Sequence, residues 1–185
     1  KTAVVQFAPV FKDIAGNLRR LVVLVTQAAN SGAELIVLPE LCTTGYSFMT
    51  PQEAAPFAEV VAAFQPGEGG THSLGLMYEL ASRLHVHIAW GFVEKDLGTG
   101  DLYNSQILIT PGGDFVTYRK INFFANDNLW AKPGRANPPI LKCDFKDGSK
   151  RVGLLVCRDI RDKVDDEWTN LYSPGDADIV VLSAN

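Results

Sequence analysis

Three short stretches of this chain, Leu35–Leu38, Val152–Cys157 and Ile179–Leu182, are apolar at successive positions instead of alternating with polar residues. A strand with one wet face alternates with a period of two, whereas a strand covered on both faces reads as a continuous apolar run. These stretches have strand length and fall far short of the roughly 20 residues a helix needs to cross a bilayer. The expected class is therefore α/β, with layers packed on both faces of a sheet. The 185 residues suit one domain, residues 1–185, able to bury roughly 70% of its unfolded surface. A hydrophobic fraction of 46% with 10% aromatics excludes intrinsic disorder. With 17 basic against 21 acidic residues the net charge is −4, the wrong sign for a nucleic-acid partner.

The opening "TAVVQFAPV" reads as a strand closed by Pro9. Leu18, Leu21, Val22, Val25, Ala28 and Ala29 then repeat at the spacing of a helix with one apolar face. "NSGA" ends it, with Gly32 suited to the left-handed conformation that closes helices. Strand, helix and strand over residues 2–38 form a crossover unit, which implies parallel pairing. A second helix, capped by Thr71, carries Leu74, Met77, Leu80, Ala81 and Leu84 on one face. "VHIAWGFVE" and "YNSQILIT", with turn clusters "LGTGD" and "TPGGD", make residues 86–119 a three-strand meander. Residues 120–139 hold Pro133, Gly134, Pro138 and Pro139 and read as a long loop. A hairpin, "ILKCDFKDGSKRVGLLV", leads to Cys157, and a short helix over 164–172 precedes a last strand, "DIVVLS". Nothing follows that run to cover it, so the chain reads as part of a longer one.

Cys157 ends the buried run "RVGLLVC", and polar "RDIRDK" follows at once. A thiol at a strand-to-helix turn is held rigidly at a sheet edge. A helix N-terminus beyond it lowers a thiol pKa and offers backbone N–H groups to an oxyanion. The alternative is a small buried hydrophobe, which is how Cys143, alternating with Leu141 and Phe145, and the loop residue Cys42 read. Three cysteines without C-x-x-C spacing point away from a disulfide framework or structural zinc and toward a reducing cytosol. His72, His85 and His87, the last two at the start of a strand, read as structural or surface residues. The base for the thiol is therefore expected to be a carboxylate. Glu40 closes the buried "LIVLPE", where a parallel sheet opens its ligand crevice. Burial there raises a carboxyl pKa toward what a base working near neutrality needs, the alternative being a solvated strand-end acid. Lys120 ends "FVTYRK" and is placed to send an ammonium to the same edge, its alternative being an ordinary exposed lysine.

Taken in order, "LIVLPELCTTGY" with Glu40, "YRK" with Lys120 and "VGLLVCRDIR" with Cys157 resemble the carbon–nitrogen hydrolase (nitrilase) superfamily and its Glu–Lys–Cys triad. "VVQFAP", "GFVEK", "YNS" and "LWAKPG" support the match, which covers essentially the whole chain and points to an amidase-like member. The resemblance implies an α-β-β-α sandwich whose C-terminal third this chain lacks, assembled as a homodimer or higher homo-oligomer. It implies a small-molecule amide substrate and no metal or organic cofactor, since the cysteine supplies the covalent step; the cysteine usage adds a cytoplasmic location, and the net charge and short apolar runs add no nucleic-acid or membrane partner. Glu40, Lys120 and Cys157 carry over as catalytic, the backbone N–H of Arg158 as an oxyanion donor, and Tyr46, Asp127, Arg161 and Asn185 as substrate-binding.

The chain departs from the family pattern in three places. "CRDIRDK" stands where amidase-like members often read C-Y-D-x-R-F-P, Asn122-Phe123 where many have His-Leu, and Asp127 where a second glutamate is usual. All three bear on the pocket, and none touches the triad.

The implied reaction is hydrolysis of a non-peptide C–N bond, a carboxamide, through a cysteine thioester that releases ammonia or an amine. A nitrilase, carbamoylase, glutaminase or acyltransferase would use the same triad; Asp159 and Arg161 tilt the reading toward amidase or carbamoylase. Arg158 or Arg161 is a candidate partner for a substrate carboxylate. Its alternative is a salt bridge to Asp159, Asp162, Asp165 or Asp166. From other classes come a redox-reactive cysteine protein, which leaves Glu40 without a role, and a catalytically dead binding module.

Overall fold

The computed structural model describes residues 1–67, 73–160 and 176–185. Strand β1 (Thr2–Val4) is shorter than the apolar opening suggests; the Val5 N–H bonds the Val37 carbonyl at 2.9 Å and the chain then leaves the sheet. Helix α1 (Ile14–Asn30) is capped by the Asp13 carboxylate, which accepts the Gly16 N–H at 2.9 Å. It closes where Gly32 takes φ +85, the left-handed conformation open to glycine. β2 (Leu35–Val37) pairs in parallel with β1 on one side and with β3 (His87–Lys95) on the other. Between them come a single helical turn, α2 (Pro51–Ala54), and helix α3 (Ser73–Leu84). β3, β4 (Leu102–Ile109) and β5 (Phe115–Arg119) run antiparallel and complete a sheet ordered β1-β2-β3-β4-β5.

The segment after β5 is a loop except for one helical turn, α4 (Asp127–Trp130), built around a buried carboxylate. A second sheet follows. β6 (Ile140–Phe145) and β7 (Gly148–Val156) form the antiparallel hairpin, and β8 (Ile179–Ser183) lies parallel to β7. His85 sits in the turn before β3 at φ +52 and is exposed, whereas His87 is buried in the strand. The Thr71 cap, His72 and the helix expected over 164–172 fall outside the described residues.

Two cores explain the continuous apolar runs. Leu18, Leu21 and Val25 of α1 and Leu74, Met77 and Leu80 of α3 pack against Ile36, Ile88, Trp90 and Ile107 of the first sheet. On that sheet's other face, Leu35, Val37, Ala89 and Leu108 meet Cys143, Val152, Leu154, Val156 and Val181 of the second. β2 thus sends alternate side chains into two dry layers, so every position of it is apolar. The described residues supply helix layer, sheet and sheet of an α/β sandwich. A polar bridge crosses between the sheets: Gln106 Nε2 donates to Ser183 Oγ at 2.7 Å, and that hydroxyl donates to the Leu38 carbonyl at 2.8 Å. Among the described residues no helix is long and apolar enough to cross a membrane.

Candidate active site

The carboxyl ends of β2, β5, β7 and β8 converge on one edge of the sandwich. β2 stops at Val37, so Glu40 does not end the strand; it heads a turn over residues 40–44. That turn is held by the Gly45 N–H to the Leu41 carbonyl, 2.8 Å, and by Asn17 Nδ2 donating to the Thr43 carbonyl, 2.9 Å. It lies directly on β3 at Gly91. A Cβ on Gly91 would stand 2.5 Å from the Leu41 nitrogen and 2.7 Å from the Glu40 Cα, so only glycine admits the turn. Glu40 is fully buried. Burial holds its carboxyl above the ordinary range, with Lys120 and Asn104 pulling the other way.

Lys120 follows β5 directly and has no exposed surface, which a lysine tolerates only when paired. Its backbone is clamped on both sides: its N–H bonds the Asn104 carbonyl at 2.9 Å, and its carbonyl accepts the Gly134 N–H at 2.8 Å. A Cβ on Gly134 would lie 2.1 Å from the Arg119 carbonyl oxygen, so the "KPG" segment needs glycine to make that clamp. The ammonium lies 2.7 Å from Glu40 Oε1 and 2.7 Å from Asp127 Oδ2. Burial works against its charge, but the two carboxylates outweigh burial and hold the ammonium above its ordinary value. Two of its three N–H donors are committed, and one is left for another acceptor.

Asn104 closes this network. Its Nδ2 donates to Glu40 Oε1 at 2.8 Å and to Asp127 Oδ1 at 3.0 Å, while Asp127 Oδ2 also accepts the Phe124 N–H at 3.0 Å. Two carboxylates, one ammonium and one amide therefore form a buried ring. Within the ring, Glu40 Oε2 and Asn104 Oδ1 have no hydrogen-bond partner among the described residues.

Cys157 opens a single 3₁₀ turn, Cys157–Ile160, with φ +46, a strained backbone for a residue with a Cβ. The lowered thiol pKa expected from a following helix is corrected here. Burial first and the Glu40 charge second push the thiol up, and Lys120 and the Arg158 backbone N–H offset this only in part. The 3₁₀ turn is too short to carry the dipole of a full helix. Asp159 anchors it. Fully buried, it accepts the Asn122 N–H at 2.8 Å and the Val156 N–H at 3.4 Å, and it bonds the Tyr118 side chain. The Cys157 turn is thereby stapled to the segment that follows Lys120.

The remaining expected site residues separate by position. The Tyr46 hydroxyl donates to the Phe124 carbonyl at 2.7 Å and its ring lies 5.6 Å from Lys120 Nζ. Burial, with the Asp127 and Glu40 charges, raises its phenol. Asn185 Nδ2 donates to the Glu40 carbonyl at 3.3 Å. Cys157, Arg158 and Asn185 line a cavity of about 290 Å³ with Phe124, Ile160, Leu182 and Ala184. Asp127, expected to bear on the pocket and not on the triad, does the reverse: it lies behind Lys120, fully buried and paired with its ammonium, and is not on that cavity's wall. Arg161 is outside the described residues. Cys42 and Cys143 are buried, their thiols pushed up to about 12 by desolvation.

Asn104, Gly91 and Gly134 escaped the sequence reading as functional positions, and Asp159, noted there as a family-pattern acid, was not read as the anchor of the Cys157 turn. An isolated glycine inside the strand pattern "HIAWGFVE" was the signal for Gly91. Among the described residues no group of His, Cys, Asp or Glu side chains is arranged to hold a metal ion. The arrangement instead offers a carboxylate to take a thiol proton, a cation with a free donor, and a partly exposed sulfur beside them.

Comparison with known proteins identifies relatives of the chain. A family model described as carbon-nitrogen hydrolase matches residues 1–183. The chain is 34% identical over 160 residues to a nitrilase of Pyrococcus abyssi, covering 86% of this chain and 56% of that protein. It is 30% identical over 140 residues to a protein N-terminal amidase of Schizosaccharomyces pombe, covering 73% of this chain and 47% of that one. The chain thus spans about half the length of these relatives. In fold it is similar to the crystal structure of an amidase from Nesterenkonia sp., with a TM-score of 0.76 at 21% identity over 99% of this chain and 64% of that one.

Proposed function

This chain belongs to the carbon–nitrogen hydrolase family, and from that premise we propose that it hydrolyses the C–N bond of a small-molecule carboxamide through a thioester on Cys157. Glu40 takes the thiol proton as the sulfur attacks the amide carbon, and the unpartnered Oε2 is the oxygen free to receive it. The oxyanion forms against the third Lys120 N–H and the Arg158 backbone N–H. Removing one such donor costs about 2.7–4 kcal/mol. Collapse passes the proton from Glu40 to the leaving nitrogen and releases ammonia or an amine. Glu40 then takes a proton from water, the hydroxide cleaves the thioester, and the proton returns to the sulfur as the acid departs. Asp127 keeps Lys120 charged at the moments when Glu40 is neutral.

One observation carries this reading. Glu40 and Lys120, from different strands, are both fully buried and paired at 2.7 Å, and their charges bear directly on the thiol of the partly exposed Cys157. A raised thiol beside a carboxylate base suits proton transfer concerted with attack, so no standing thiolate is required. A redox-reactive cysteine, by contrast, wants a lowered pKa.

Acid-quenched intact mass spectrometry of the full chain after incubation with a panel of amides tests it. The expected result is an added acyl mass on Cys157, absent in Cys157→Ala, with ammonia release lost in Glu40→Gln. Turnover that survives Cys157→Ala overturns the proposal. The relative named nitrilase favours a second reading, attack on a nitrile carbon by the same sulfur. Nitriles in the panel decide between the two. The same reading includes a cytoplasmic homo-oligomer, dimer or higher, whose assembly light scattering on the full chain would measure.

A further inference from the structure

We propose that Arg158 makes this pocket select amides that carry a carboxylate in addition to the scissile bond, by pairing with that carboxylate inside the cavity. The inference rests on the amidase reading above and names its substrate class.

Glu40, Asp127 and Lys120 are fully buried and together leave one net negative charge beside the sulfur. A carboxylate entering the cavity meets that excess unless a cation outside the buried ring faces it. Arg158 is such a cation. Its side chain is exposed, lines the same cavity as Cys157, and stands with its guanidinium carbon 6.0 Å from the Phe124 ring centroid.

Arg158 is also unpaired among the described residues. Among the described residues no carboxylate lies within ion-pair distance of it, whereas Arg119 pairs with Glu94 and Asp96, and Arg151 with Asp178. Its sequence neighbour Asp159, the obvious candidate, is buried and committed to the Asn122 and Val156 N–H groups. The salt bridge considered from sequence is thus not made to Asp159, and the forked guanidinium stays available for a two-pronged contact with a ligand carboxylate. Phe124, Ile160, Leu182 and Ala184 make most of the remaining wall apolar, with Asn185 its other polar residue. A ligand that fits reads as amide at Cys157, a short alkyl segment, and carboxylate at Arg158, which is the monoamide of a dicarboxylic acid.

Two probes of similar size test this on the full chain without requiring turnover: iodoacetate and iodoacetamide, with Cys157 alkylation followed by peptide mass spectrometry. The ratio of their rates cancels any change in thiolate fraction and isolates the charge preference. Arg158→Gln is expected to lower the iodoacetate to iodoacetamide ratio about fivefold, the upper range of a partly exposed ion pair, and Arg158→Lys to retain most of it. In parallel, kcat/KM is compared for the monoamide of a four-carbon diacid and the neutral amide of equal carbon number. The unaltered chain is expected to prefer the anionic amide and Arg158→Gln to lose that preference. An alkylation ratio unchanged in Arg158→Gln overturns the inference. A ratio that falls while neither amide is turned over overturns the amidase reading and leaves anion selection standing. Equal turnover of both amides by the unaltered chain overturns the substrate class.

Discussion

A lysine buried between two carboxylates must keep its proton and still hold a donor in reserve, and Asn104 is the residue that lets Lys120 do both. Its amide donates to Glu40 and Asp127 together, and at Glu40 this favours the charged form. Loss of that amide raises the Glu40 pKa further, since Asn104 is one of the groups holding it down. A base must be deprotonated to act, so in Asn104→Ala the acid limb of kcat/KM is expected to move to higher pH. Activity near neutrality should drop about tenfold, the cost of leaving a buried charged partner short of one donor. A pH–rate profile measures both. A purely structural defect would scale the curve without moving its limb. Glu40 and Cys157 each follow an apolar run in the sequence, and the family resemblance joined Lys120 to them. Asn104 sits inside "YNSQILIT", where nothing in the local pattern separates a strand asparagine from a network donor.

Elements bring these residues together through close backbone contacts. β3 accepts the Glu40 turn only because Gly91 has no side chain. Gly91→Ala forces backbone to move, and is expected to cut kcat/KM by at least about tenfold while the fold, followed by circular dichroism, survives. Helix α3 shows a second device. The Glu59 carboxylate accepts the Ser73 and Leu74 N–H groups at 2.9 and 3.1 Å and the Ser73 hydroxyl at 2.5 Å. That hydroxyl in turn accepts Trp90 Nε1–H at 2.9 Å. Burial pushes Glu59 up from 4.5 to about 7. Because the folded value lies above the unfolded one, its contribution to stability is whole below pH 4.5 and is lost as pH rises to about 7. The swing is roughly 3 kcal/mol. Urea midpoints measured across that window should fall for the unaltered chain and flatten in Glu59→Gln. The amphipathic spacing of α3 was legible in the sequence, whereas its distant acidic partner, 14 residues before Ser73, belongs to no local pattern.

At the scale of the whole molecule the site depends on two sheets staying in register. The Gln106–Ser183–Leu38 bridge joins β4 to β8 and to the segment that carries Glu40, and Asn185 adds a bond to the Glu40 carbonyl. Ser183→Ala strands the buried Gln106 amide. It should lower unfolding free energy by about 1–3 kcal/mol, read from urea denaturation, and reduce kcat because Glu40 loses one of its supports. The two-sheet core was foreshadowed by the unbroken apolar runs. Which polar side chains would meet across it was not, because Gln106 and Ser183 lie 77 residues apart.

Strand and helix periodicity is a short-range property, repeating every two or every 3.6 residues, so apolar spacing marked most of the elements and their layering, while the resemblance to the nitrilase superfamily joined Glu40, Lys120 and Cys157 into one expected site. Through-space quantities obey a different rule. Glu40 and Lys120 are 80 residues apart in the chain and 2.7 Å apart in space. The direction in which each pKa moves follows from desolvation and from charges that only folding brings near. That is why the elevated thiol of Cys157, the amide bridge of Asn104 and the guanidinium of Arg158, without an ion pair among the described residues, came from the folded molecule and not from its sequence.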